Sequence, residues 1–113
     1  MEPKDLEARM RPLIEAEREE LLKQSAATDA DRRPVDLDQQ SVGRLSRIDA
    51  LQAQEMAKAL EQRRKTRLIA LDQALRRMEQ GDYGLCADCG EPIDIRRLEI
   101  DPATVKCVAC SGR

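Results

Sequence analysis

The sequence predicts a mostly α-helical protein, in which a long antiparallel helical hairpin (a coiled coil) precedes a small C-terminal domain built around four cysteines. Two stretches of helix formers, residues 4 to about 27 and 41 to about 80, carry apolar residues at helical spacing. Every cysteine of the chain lies beyond them, in two Cys-x-x-Cys pairs. We therefore expect a helical hairpin over residues 1–80 and a four-cysteine finger over residues 81–113.

The first predicted helix runs from Lys4 to about Ala27 and is amphipathic. Pro12 lies inside it, and an internal proline removes a backbone hydrogen bond, so the helix either kinks or starts there. Its apolar stripe consists of Leu6, Met10, Leu13 and Leu21, with Ile14 and Leu22 beside them.

The second predicted helix spans Ser41 to about Gln80, roughly 40 residues or about 60 Å. Because it is longer than the first helix, we expect the start of its apolar stripe, around Leu45, Ile48 and Leu51, to be covered by the linker, by a second copy of the chain or by a partner. Its apolar stripe consists of Leu45, Ile48, Met56, Leu60, Leu68, Leu71, Leu75 and Met78.

An acidic segment near residues 28–40 separates the two helices. Pro34 and four aspartates interrupt the helical pattern there and favour turns and caps. The segment is either a solvated loop or a functional acidic tip of the hairpin.

Composition limits the possible functions. Tyr83 is the single aromatic residue and 37% of residues are charged, so a large globular core is excluded. The net charge of −2 argues against a protein that mainly neutralises phosphates. No long apolar run is present, so we expect a cytoplasmic protein that neither spans a membrane nor is secreted.

Basic residues are concentrated in one part of the second helix, since residues 61–77 hold six basic and two acidic side chains. This excess serves either attraction between adjacent helices or the docking of an acidic partner surface. The candidate docking residues are Arg63, Arg64, Lys65 and Arg67.

The cysteines have the spacing of a zinc site. Seventeen residues separate the pair Cys86 and Cys89 from the pair Cys107 and Cys110. Four thiolates about 2.3 Å from the ion complete a tetrahedral shell, and the chain has no histidine, which favours one structural Zn²⁺ over a catalytic one. The alternative of two disulfides suits a secreted chain instead. A small core beside the ion is expected from Ile93, Ile95, Leu98, Ile100 and Val105, joined by Met78, Tyr83 and Leu85.

The finger resembles a known family more closely than the cysteines alone require. Tyr-Gly-x-Cys-x-x-Cys-Gly begins at Tyr83, Pro-Ile-x-Ile-Arg-Arg-Leu-Glu begins at Pro92, and Pro102 precedes the last cysteine pair. These motifs, directly after a long basic helix, are similar to those of the DksA/TraR family of bacterial zinc-finger proteins. The similarity is dense from Leu68 to Cys110.

The resemblance implies a transcription regulator that binds bacterial RNA polymerase and not promoter DNA. Family members insert a coiled-coil hairpin into the polymerase secondary channel, where acidic tip residues act near the catalytic centre. On this chain the resemblance implies Cys86, Cys89, Cys107 and Cys110 as zinc ligands. It also implies Asp36 and Asp38 as tip contacts and Arg63, with its neighbours Arg64 and Arg67, as shaft contacts.

The chain departs from the family pattern at several positions. The typical tip is Asp-x-x-Asp-x-Ala, whereas this chain has Arg33 at one acidic position and Asp38 at the alanine, and its second arm is about ten residues longer. Asp101 and Ser111 replace the basic residues of members that respond to the alarmone ppGpp, so little ppGpp synergy is expected.

Four functions fit parts of this sequence. The favoured one is a non-enzymatic, monomeric polymerase-binding regulator. The alternative is a zinc-stabilised helical module that binds another protein. A DNA-binding zinc finger and a thiol redox sensor rank lower, and hydrolytic or transfer chemistry lacks a histidine, a nucleophile motif and a phosphate-binding loop.

Overall fold

The computed structural model describes residues 3–32 and 44–111. Four α-helices occur in these residues: α1 (Pro3–Ala27), α2 (Arg44–Gln80), α3 (Ile95–Ile100) and α4 (Val108–Ser111). A short 3₁₀ helix over Asp29–Arg32 follows α1. An isolated antiparallel bridge joins Leu85 to Pro92. The predicted fold class is confirmed, with two long helices followed by a small cysteine-containing finger.

The helix α1 is continuous through Pro12, which lies nine residues after its first residue, Pro3. The prediction of a helix from Lys4 to Ala27 is therefore confirmed, and a start at Pro12 is excluded. The second helix begins at Arg44, and the predicted start at Ser41 lies outside the described residues. The 3₁₀ turn occupies the start of the predicted acidic segment, whose remainder, including Asp36 and Asp38, also lies outside them.

The chain divides into two compact units, each containing part of both long helices. The first unit comprises residues 1–19 and 68–113, and the second comprises residues 20–67. In the first unit α1 and α2 are antiparallel, because Arg18 contacts Asp72 at 2.8 Å while Leu6 lies close to Gly84, beyond the end of α2.

The core of the first unit contains side chains from both long helices and from the finger. Met10, Ile14, Leu71 and Leu98 are fully buried. Around them lie Leu6, Ala74, Met78, Tyr83, Ile93 and Ala103. The finger core is smaller than the expected one. Leu85 is exposed, and Ile100, the last residue of α3, is 87% exposed. Ile95 and Val105 are only half-buried.

In the second unit, polar side chains form the contact between the two long helices. Over residues 47–67, the part of its α2 segment whose burial the structure describes, Gln54 and Glu61 are buried, whereas Met56 and Leu60 of the predicted apolar stripe are exposed. Glu61 accepts a hydrogen bond from Ser25 Oγ and contacts Arg32 Nη2 at 3.0 Å. The expected apolar stripe is therefore not buried at Met56 and Leu60, because Ser25 and Arg32 offer polar partners that bring the Glu61 face of α2 toward α1.

Candidate metal centre

The first cysteine pair lies in a tight turn closed by backbone hydrogen bonds. Cys86 N–H donates to Glu91 O at 2.8 Å, and Gly90 N–H donates to Cys86 O at 2.9 Å. Gly90 has a φ of +76°, a conformation that glycine adopts at little cost. The turn directs two sulfurs to one side, as a metal knuckle requires.

The second pair lies at the start of α4. Cys107 immediately precedes the helix, Cys110 lies within it, and Ser111 N–H donates to Cys107 O at 2.9 Å. One helical turn therefore places both sulfurs together. A backbone hydrogen bond of 2.7 Å from Ala87 N–H to Val105 O connects the two knuckles.

The four sulfurs converge on one point. Their Sγ atoms lie within 4.8 Å of one another, and Cys89 Sγ is 3.7 Å from Cys107 Sγ. Ligands at about 2.3 Å from a tetrahedral Zn²⁺ would be about 3.8 Å apart, so this spacing fits the ion. Among the described residues the cluster consists of these four soft thiolates, which is the ligand set of one structural zinc site.

The electrostatics of the cluster also favour a cation. Backbone N–H groups of Cys107 and then Cys89 donate to the Cys86 sulfur and lower its pKa to about 6. Hydrogen bonds with the thiols of Cys107 and Cys86 raise the pKa of Cys110 to about 12. Four sulfurs this close do not all ionise together without a positive charge, which a bound divalent ion supplies.

Side chains outside the cluster hold the finger loops in place. Tyr83 OH donates to Pro102 O at 2.7 Å, and Arg97 Nε donates to Lys106 O at 3.0 Å. Asp94 caps α3 by accepting from Arg96 N–H at 2.9 Å, and hydrogen bonding from Arg96 lowers the pKa of Asp94. The residues between the cysteine pairs therefore position the second knuckle.

Asp101 and Ser111 stand at the two positions where the resemblance implies basic residues in ppGpp-responsive proteins, and here both have local structural roles. Asp101 Oδ1 accepts from Ala103 N–H at 3.1 Å, and Ser111 Oγ donates to Val108 O at 3.2 Å. Neither side chain carries a positive charge.

The structure places the three predicted shaft arginines in the second unit and the four cysteines in the first. Arg63 is exposed and Arg67 is half-buried. Arg64 is also half-buried, because its Nη1 donates to Thr28 Oγ1 at 3.1 Å and lies 3.9 Å from Glu61. Arg64 thus stabilises the contact between α2 and the residues that follow the end of α1. The roles of all three residues in binding a partner stay predictions.

The network around Glu61 is a feature that sequence reasoning missed. Arg32 donates to Thr28 Oγ1 at 2.8 Å and to Ser25 O at 3.0 Å, in addition to its pairing with Glu61. No spacing signal distinguishes these polar residues from an ordinary solvated helix face. Within the described ranges, no helix is both long and apolar enough to cross a membrane.

Comparison with known proteins agrees with this geometry. Residues 81–113 match the model of the prokaryotic dksA/traR C4-type zinc finger. The RNA polymerase-binding transcription factor DksA of Caulobacter vibrioides strain NA1000 is 46% identical over 63 residues, which are 52% of this chain and 44% of that protein. The protein of the same name from Escherichia coli K12 is 38% identical over 63 residues, 54% of this chain and 42% of that protein.

The similarity to a solved structure extends over the helices. The structure of transcription factor DksA2 from Pseudomonas aeruginosa superposes with a TM-score of 0.78 at 27% identity, covering 96% of this chain and 82% of that chain. The sequence matches to the curated relatives, in contrast, span less than half of their length. The finger match and the four converging sulfurs show that residues 81–113 form a zinc finger of the dksA/traR C4 type, and the chain shares the fold of DksA2 beyond it.

Proposed function

We propose that this protein is a non-enzymatic transcription regulator that binds bacterial RNA polymerase through the secondary channel, with its helical hairpin as the inserted part and the zinc as a structural element. One observation carries the proposal: the DksA2 fold extends over 96% of the chain, well beyond the finger. A zinc finger that served only as a metal-binding module in an unrelated protein would not require the long paired helices.

The residues have separate proposed roles. Asp36 and Asp38 act at the tip, and Arg63 and Arg67 contact an acidic polymerase surface along the shaft. Arg64 contributes mainly by holding α2 to the end of α1, since its guanidinium already contacts Thr28 and lies near Glu61. Cytoplasmic location, a monomeric state and weak ppGpp synergy follow from the same proposal.

The first test is equilibrium binding of the zinc-loaded chain to purified bacterial core RNA polymerase, in competition with a known secondary-channel ligand. Saturable binding that the competitor abolishes supports the proposal. The double substitution Asp36→Asn with Asp38→Asn should leave binding largely intact and remove the effect on transcription from a sensitive promoter. Asp31→Asn, an exposed aspartate of the 3₁₀ turn, is the matched control and should keep both.

A second candidate function is a helical module that binds another protein. Ile48, Leu51 and Met56 form an exposed apolar patch on α2, and such patches commonly mark binding surfaces. Failure of the correctly folded, zinc-loaded chain to bind polymerase would make this module the better account. Substituting Met56→Lys should then weaken binding to its partner, whereas it should not affect a polymerase contact made by Arg63.

A further inference from the structure

A cavity of about 270 Å³ lies in the first unit, between the last turns of α2 and the finger. Two of its lining residues, Ala87 and Val105, belong to the finger and are joined by a backbone hydrogen bond of 2.7 Å from Ala87 N–H to Val105 O. The remaining walls come from α2. The lining residues are Gln73, Arg76, Arg77, Gln80, Ala87 and Val105.

The cavity wall carries positive charge and no carboxylate. Arg77 is fixed in place, since its Nη2 donates to Leu85 O at 2.6 Å and to Asp82 O at 3.2 Å. Both partners are neutral carbonyls, and no carboxylate of residues 3–32 and 44–111 forms an ion pair with this arginine. Arg76 is exposed and has no ion-pair or hydrogen-bond partner in the part of the chain that the structure describes.

The cavity continues into one exposed face of α2. Ile69, Gln73, Arg76 and Gln80 follow each other at intervals of three or four residues, so they lie on the same side of the helix. All four are exposed, Ile69 at 59%. This face therefore offers a cation and two amide donors beside an unpacked aliphatic side chain.

We propose that this face and its cavity form a second polymerase-binding surface, which receives an acidic side chain of the polymerase. The inference rests on the proposed function and adds a contact on the finger side of the molecule. Guanidinium and amide N–H groups are the donors that bind carboxylates, and charge-assisted bonds of this kind are the strong ones. A cavity of about 270 Å³ has room for such a side chain and several waters, each of which occupies about 30 Å³.

The test measures the Kd of full-length, zinc-loaded variants for purified bacterial core RNA polymerase by competition with labelled wild-type chain. We expect Arg76→Glu to raise the Kd about ten- to a hundredfold and Arg76→Gln to raise it several-fold, because reversal adds repulsion to the lost contact. Lys4→Glu is the matched control, an exposed residue of the same unit with the same change in net charge, and should leave the Kd within about twofold.

The outcomes separate this inference from the proposed function. Wild-type binding with an unchanged Kd for Arg76→Glu overturns the second surface and leaves the proposed function standing. An equal loss in Lys4→Glu also overturns it, because the effect is then general charge repulsion. Absence of wild-type binding overturns both. Zinc content and helicity verify each fold, and Gln73→Glu, a smaller change in the same wall, replaces Arg76→Glu if that variant misfolds.

Discussion

At the scale of single residues, Gly84 shows how closely the finger packs on α1. Its φ is +88°, and a Cβ added there would lie 2.7 Å from Leu6 Cδ2. We expect Gly84→Ala to lower the free energy of unfolding by about 2–4 kcal/mol, since both backbone strain and a steric clash oppose it. Chemical denaturation of the zinc-loaded protein measures this change.

Gly81 provides the matched control for that substitution. It has a similar φ of +78°, but a Cβ there would meet nothing within 4 Å. Gly81→Ala should therefore cost only the backbone strain of a left-handed residue with a Cβ, about 1–2 kcal/mol. The double variant Leu6→Ala with Gly84→Ala should be less destabilised than the sum of its single variants. Equal losses for Gly81→Ala and Gly84→Ala would show that the contact with Leu6 is unimportant.

Tyr83 allows a second measurement on one residue, because it is the only aromatic side chain of the protein. Burial, and then the nearby charge of Asp101, raise the pKa of Tyr83 to about 12. Tyrosinate absorbance should therefore appear near pH 12 in the folded protein and near pH 10 in denaturant.

The shift in the pKa of Tyr83 also sets the sign of a stability change. Between pH 10 and 12 the unfolded chain loses the phenol proton while the folded chain keeps it, so the unfolded state binds fewer protons. The free energy of unfolding contributed by Tyr83 is fully present below pH 10 and falls as the pH rises toward 12. A folded-state absorbance midpoint near pH 10 would contradict the buried environment of the phenol.

At the scale of elements, the zinc site and α1 belong to one packed unit. Leu6, Met10 and Ile14 of α1 are buried in the same core as Tyr83 and Leu98, and Arg9 Nη2 contacts Glu99 Oε1 at 2.8 Å. The finger has too little apolar material to keep its form without the metal. Zinc removal should therefore unfold part of α1 together with the finger.

Circular dichroism during titration with a chelator tests this linkage. We expect a loss of helix larger than α3 and α4 could account for, since these have only six and four residues. Cys107→Ser should lose the same signal without chelator, whereas Ala109→Ser, at an exposed position of α4, should keep it. A loss confined to about ten helical residues would show that α1 is stable independently of the metal.

The predictability of these elements from sequence varies with the kind of signal. Helix formers at regular spacing predicted α1 and most of α2, and paired cysteines predicted the metal cluster. Apolar spacing failed in the second unit, where Glu61 is buried and Met56 exposed, because a buried carboxylate is stable only with partners such as Arg32 that are distant in sequence. The exposure of Ile100 likewise depends on the short length of α3, which ends at that residue.

At the scale of the whole molecule, the near balance of 20 basic and 22 acidic residues limits the affinity of the chain for nucleic acid. Duplex binding gains its affinity from neutralised phosphates and weakens as salt is added. We expect the chain alone to bind a promoter duplex with a Kd above about 10⁻⁴ M at physiological salt, the weak end of nonspecific binding. Electrophoretic mobility shift over a range of salt concentrations measures this.

The informative comparison uses the same duplex with polymerase bound. If the chain acts through the enzyme, it should change the lifetime of polymerase–promoter complexes at concentrations where it does not shift free DNA. Saturable binding to free duplex that weakens steeply with salt would instead require a local basic surface that outweighs the net charge of −2. The exposed α2 face with Arg76 would then be the first surface to test, since Arg76→Glu should reduce that DNA binding and lower its dependence on salt.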